Sequence, residues 1–103
     1  MGRPQPTVVP AATDDSALSV GDWLYRWLSQ YVRRDRAVNT QERYTSIVDR
    51  YLVPGIGAIP LARLTPSHID DLELRLVGQG LSPKTVNLIH TVLSGALRHA
   101  VRL

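Results

Sequence analysis

Lys84, Asn87, Thr91, Ser94, Arg98 and Arg102 recur at intervals of three or four residues, so on a helix they line one side for several turns. No acid lies between the first and the last of them. Cations in such a row hold phosphates while Asn and Thr reach base edges, as a helix lying along a DNA groove requires. An ordinary solvated face has the same pattern, and periodicity alone does not separate the two. A second set, Asn39, Thr40, Gln41, Glu42 and Arg43, brings amide, hydroxyl and guanidinium groups to a predicted helix start, where free backbone N–H groups grip an anion. Capping accounts for Asn39 or Thr40 but leaves Gln41 and Arg43 without a task.

Other chemistry is thin. The histidines, His68, His90 and His99, keep no metal-ligand spacing and there is no cysteine, so neither a metal nor a cofactor is expected. His68 reads as a first-turn residue of a helix, and His90 as a rim residue or a contact. No glycine-rich phosphate loop, paired carboxylates or nucleophile with an evident base can be found, and no catalytic residue is assigned. Asp70, Asp71 and Glu73 splay around a helix as a solvated face. Tyr31, Tyr44 and Tyr51 fall on apolar stripes and Tyr25 just off one, while Trp23 and Trp27 occupy core positions as packing anchors.

The elements that carry these residues are helical. Ser19 caps a first helix over about 20–33, with Val20, Trp23, Leu24, Trp27, Leu28 and Tyr31 on one stripe. Asn39, with Glu42 as the far member of a capping box, starts a second helix whose apolar face is Tyr44, Ile47, Val48, Tyr51 and Leu52. Pro54 stops it, and residues 54–64, PGIGAIPLARL, form a packed connector. Thr65-Pro66 starts a third helix ending near Gly78 or Gly80, with Arg75 on a different face from the polar sets above. Ser82-Pro83 starts a fourth, with Val86, Ile89, Leu93, Ala96, Leu97 and Ala100 inward. That helix is still in register at Leu103, as expected if the sequence stops inside a longer protein.

The class is therefore all-α, a four-helix bundle over 19–103 preceded by a flexible, disordered arm at 1–18. The 103 residues suffice for one modest core, and without cysteine its stability rests on packing. Charge follows the same division: Arg3 against Asp14 and Asp15 leaves the arm at −1, while eleven cations against seven acids give 19–103 a net +4. Eleven of the twelve cations are arginine, whose planar fork suits phosphate and guanine edges. No apolar run approaches the roughly 20 residues of a membrane span, and no secretory signal begins the chain.

In order, the segments VGDWLYRWL, NTQERYTSIVDRYLVPGIGAIPLARLTPSHI and GLSPKTVNLIHTVLSGALRHAVR resemble the SAM-like core-binding domain of phage integrases, the tyrosine recombinases, across about residues 19–103. The resemblance implies a SAM-like bundle of two helical hairpins that forms one jaw of a clamp on double-stranded DNA, opposite a catalytic domain expected downstream in the same chain. It also implies DNA contacts at Asn39, Thr40, Gln41 and Arg43 on the second helix, and at Lys84, Thr85, Asn87, His90 and Thr91 on the fourth. The family's tyrosine nucleophile and its cationic helpers belong to that downstream domain, so this chain would bind DNA without cutting it. A monomeric, cytoplasmic, nucleoid-associated protein of bacterial or phage origin is the corresponding expectation. The alternatives are a helical protein-interaction module without DNA binding and, weakest for want of chemistry, a small enzyme.

Overall fold

A computed structural model describes residues 18–101; residues 1–17 of the expected arm, together with Arg102 and Leu103, lie outside the described residues. Ser19 accepts a hydrogen bond from the Asp22 N–H (3.0 Å), and the Asp22 carboxylate accepts one from the Ser19 N–H (3.3 Å), a reciprocal cap. The first helix, α1, is α-helical over Val20–Trp27, widens to a π-type turn over Leu28–Val32 and closes as α-helix over Arg33–Asp35. Its second N-terminal support is the connector: Val20 N–H donates to the Ile59 carbonyl (2.8 Å) and Gly21 N–H to the Gly57 carbonyl (2.9 Å). That approach is close at Gly21, where a Cβ would lie 3.2 Å from the Gly57 carbonyl oxygen, and a Cβ on Gly57 itself would lie 2.6 Å from the Val53 carbonyl oxygen.

The second helix, α2, departs from expectation at both ends. It begins at Val38 with Ala37 in the cap position and no side-chain cap, so Asn39 is not the cap and no capping box forms with Glu42. Only Arg36 and Ala37 separate the helices, and Gln41 holds that turn instead: its side-chain N–H donates to the Arg36 carbonyl (2.8 Å) and the Arg33 carbonyl (3.4 Å), satisfying the end of α1. Nor does Pro54 end the helix. After Val38–Ile47 comes a π-type turn over Val48–Leu52, closed by Val53 N–H to the Val48 carbonyl, and Pro54 follows directly after it in Val53–Ile56.

A 3₁₀ turn at Leu61–Arg63 leads to α3, Pro66–Gly78, capped by Thr65 with His68 as reciprocal partner. Its far end closes as Gly80 takes φ +93°, with Gly80 N–H donating to the Val77 carbonyl (3.0 Å) and Leu81 N–H to the Leu76 carbonyl (3.2 Å). Helix α4 covers Pro83–Val101. Among the described residues there is no strand beyond one isolated bridge between Ser19 and Pro60.

Two hairpins, α1 with α2 and α3 with α4, close on a shared core. Trp23, Leu24, Val48, Leu52, Ile56, Ile89 and Val92 fill its centre, and among the described residues no polar or charged residue is buried. Two indoles fasten α1 to α4, with Trp23 Nε1–H donating to the Ala96 carbonyl (2.8 Å) and Trp27 Nε1–H to His99 Nδ1 (3.0 Å). Val92, absent from the expected inner set, is 1% exposed because α4 packs against α1 as well as α3 and so buries a wider arc.

Candidate functional site

The α1–α4 fastening decides what α4 turns outward. With α1 holding one side through Trp23 and Trp27, Lys84, Asn87, Thr91 and Arg98 are exposed and Ser94 half-buried. At 100° per residue these five fall within an arc of about 80° and extend about 21 Å along the axis. Arg102, the last of the expected row, lies outside the described residues.

The start of α2 reaches the same region. Asn39, Thr40, Arg43 and Tyr44 meet Leu88 of α4 across an open groove of 300 Å³. Leu88 lies four residues from Lys84, hence only about 40° around the helix, so this groove borders the α4 row. Tyr44 stacks on Trp27 at 6.0 Å with ring planes 14° apart, which fixes the first turns of α2 against α1. Asn39 and Arg43 are exposed, and Thr40 and Gln41 are half-buried.

Several of the expected contact residues already have partners. Gln41 is engaged with the end of α1 as described. The Thr85 N–H donates to Ser82 Oγ (3.2 Å), whose hydroxyl donates to Thr85 Oγ1 (3.0 Å), so Thr85 belongs to the α4 cap. Thr91 Oγ1 donates to the Asn87 carbonyl (2.9 Å), leaving its lone pairs outward as acceptors. His90 lies on the opposite border of the row, where its Nδ1 meets Glu73 Oε2 of α3 at 2.5 Å. An acid therefore does approach the row, from the neighbouring helix and not from α4 itself. Asn39, Arg43, Lys84 and Asn87 make no side-chain hydrogen bond among the described residues, and no arginine or lysine there is ion-paired with a carboxylate.

Tyr25 donates its hydroxyl to Asp49 Oδ1, and that bond, with lesser help from burial and the carboxylate charge, raises the phenol above its ordinary value. Tyr31 stacks on His99 at 4.3 Å, Tyr44 on Trp27, and Tyr51 is half-buried. Among the described residues no three His, Asp or Glu side chains gather as for a metal, and no helix is long and apolar enough to cross a membrane.

The sequence model for the phage integrase N-terminal SAM-like domain matches residues 19–75, more than half of the chain, from the α1 cap into α3. A protein of Saccharopolyspora erythraea named integrase is 28% identical over 86 residues, covering 82% of this chain and 20% of that protein. The chain thus spans about a fifth of the length of that relative. No solved structure matches it.

Proposed function

The chain belongs to the phage integrase family through its N-terminal SAM-like domain, and from this we propose that it is the core-type DNA-binding domain of a tyrosine recombinase. It clamps double-stranded DNA at the core recombination site during integration or excision. One observation supports this reading above others: the start of α2 and the outer row of α4 border one groove, both carry exposed cations and amides, and no arginine or lysine among the described residues is ion-paired. Arg43, Lys84 and Arg98 hold phosphates; Asn39 and Asn87, with Thr40 and Thr91 as acceptors, reach base edges. Gln41 and Thr85 position the two helix starts, and His90 with Glu73 forms the rim. Strand cleavage and joining fall to a catalytic domain in the remainder of the parent chain, and this domain, a monomer, leaves DNA intact. A cytoplasmic, nucleoid-associated location follows from that role.

Titrating labelled protein with core-site and scrambled duplexes tests the surface. Shifts at Asn39, Arg43, Lys84, Asn87 and Thr91 are expected, and shifts confined to α1 and α3 would reject it even if DNA bound. A protein-interaction module is the second reading, favoured by Leu74 (71% exposed) and Val77 (56% exposed) on α3. Salt separates the two, because counterion release makes DNA binding fall steeply with added salt while an apolar contact changes little.

A further inference from the structure

Away from the α4 row, α2 and α3 enclose a cleft of 140 Å³ with Arg50 and Tyr51 on one wall, Arg75 and Gln79 on the other, and Leu72 and Leu76 as its floor. The walls are close: a Cβ on Gly55 of α2 would collide with the Leu72 side chain. Both arginines are exposed and neither is ion-paired among the described residues; Asp71, one turn before Arg75, does not reach it. The neighbouring grooves differ. Arg50 also borders the α1–α2 groove, but there Glu42 and Asp49 line it together with Arg33, and Glu73 lines the α3–α4 groove. Among the described residues, no Asp or Glu lines the α2–α3 cleft, while Arg50 and Arg75 both do.

We propose that this cleft is a binding site for a single phosphate-type oxyanion, held between the Arg50 and Arg75 guanidinium groups with Gln79 as an amide donor. Two planar forks from different helices match the several oxygens of a tetrahedral anion better than point charges would. Leu72 and Leu76, each 3% exposed, replace water beneath the charges and strengthen their attraction. The end of α3 would repel an anion if its carbonyls were bare. Three of the last four are occupied: Gln79 N–H donates to the Arg75 carbonyl (2.9 Å) and the Leu76 carbonyl (3.1 Å), and Gly80 N–H donates to that of Val77 (3.0 Å). Inorganic phosphate and a DNA backbone phosphate share this chemistry; only the second source rests on the DNA-binding reading above.

The test is a titration of the ¹⁵N-labelled 103-residue chain with inorganic phosphate at constant ionic strength, with chloride as control. Saturable shifts at Arg50, Tyr51, Gly55, Arg75 and Gln79 are expected, weakened about three- to fivefold by Arg75→Gln or Arg50→Gln, each at an exposed position. Arg75→Lys, which keeps charge but loses the fork, should fall between. Equal, non-saturating drift at Arg26 and Arg63 as well, or insensitivity to both glutamine variants, overturns the site. A second arm uses a short duplex. Cleft shifts that Arg75→Gln removes assign the site to backbone phosphate, and phosphate shifts without duplex shifts assign it to the free anion. Duplex shifts at Arg43 and Asn87 with a cleft silent to both ligands would overturn this inference while leaving the DNA-binding surface intact.

Discussion

Helices α3 and α4 begin with the same device and end as different surfaces. Thr65-Pro66 and Ser82-Pro83 each supply a hydroxyl cap followed by proline in the first turn, and each helix buries one apolar side against the same core. Outward, α3 offers Asp70, Glu73, Leu74 and Val77, acidic and apolar, beside a groove of 450 Å³. Helix α4 offers Lys84, Asn87, Thr91 and Arg98 without an acid of its own. The start signal and the inner stripe are requirements of folding, so they recur; the outer residues are free of those requirements, so they diverge.

The largest expected effect comes from removing the scaffold both faces share. Trp23→Ala deletes a fully buried indole and leaves the Ala96 carbonyl without its donor, costing about 3–5 kcal/mol in urea denaturation. Trp23→Phe, which keeps most of the packing, should lose clearly less. Equal losses would mean that the hydrogen bond, not the ring, fastens α1 to α4.

Next come changes that break the contrast between the faces without disturbing the fold. Lys84→Ala and Arg43→Ala should each weaken duplex binding for every sequence and reduce the slope of log affinity against log salt by about 1. Asn87→Ala should instead lower preference for the native site by about 1–3 kcal/mol. Leu74→Ser, on α3, should leave all three quantities unchanged. An equal loss from Leu74→Ser, measured by fluorescence anisotropy, would show that the outer faces are not functionally distinct.

What could be read from the sequence was local. Ser19, Thr65 and Ser82 cap where expected because a cap is decided within one turn of chain. The start of α2 was misplaced because Gln41 reaches back to carbonyls at the end of α1, a bond that no periodicity encodes. Helix α2 runs past Pro54 because a wider turn absorbs the proline, whereas the sequence rule considers only a regular helix. Glu73 beside His90 was invisible for the same reason as Val92: one helix viewed alone does not reveal which neighbour covers its flank. Both polar sets were legible as surfaces, but the residues already committed to partners, Gln41 and Thr85, were not distinguishable from the free ones.

A smaller effect concerns the turn between the two faces. Gly80 has φ +93° and open space around its Cα, so Gly80→Ala meets no clash but places a side chain in the left-handed region. A loss of about 1 kcal/mol in denaturation is expected, with duplex affinity unchanged. Gly78, helical and equally open, is the contrast: Gly78→Ala should stabilise slightly, since alanine is the better helix former.

The smallest effect expected is the most discriminating, because it concerns the point where the faces touch. Glu73 belongs to the acidic side yet meets His90 on the border of the α4 row, with 30% of its side chain exposed against 51% for His90. A contact so exposed contributes about 0–1 kcal/mol to stability even where it is fully charged, so Glu73→Gln should scarcely alter denaturation. Its negative charge nonetheless stands beside the row proposed to meet phosphates, and through water such a charge weakens an approaching anion by a fraction of a kcal/mol. Glu73→Gln should therefore raise duplex affinity about twofold at low salt and lose that gain as salt screens it. Asp71→Asn removes the same charge from α3 without the contact to His90, and should give less. Identical small gains from both would mean that only net charge is felt. A loss on Glu73→Gln would mean instead that Glu73 orients His90 toward the duplex, making the pair part of the DNA-facing surface and not its edge.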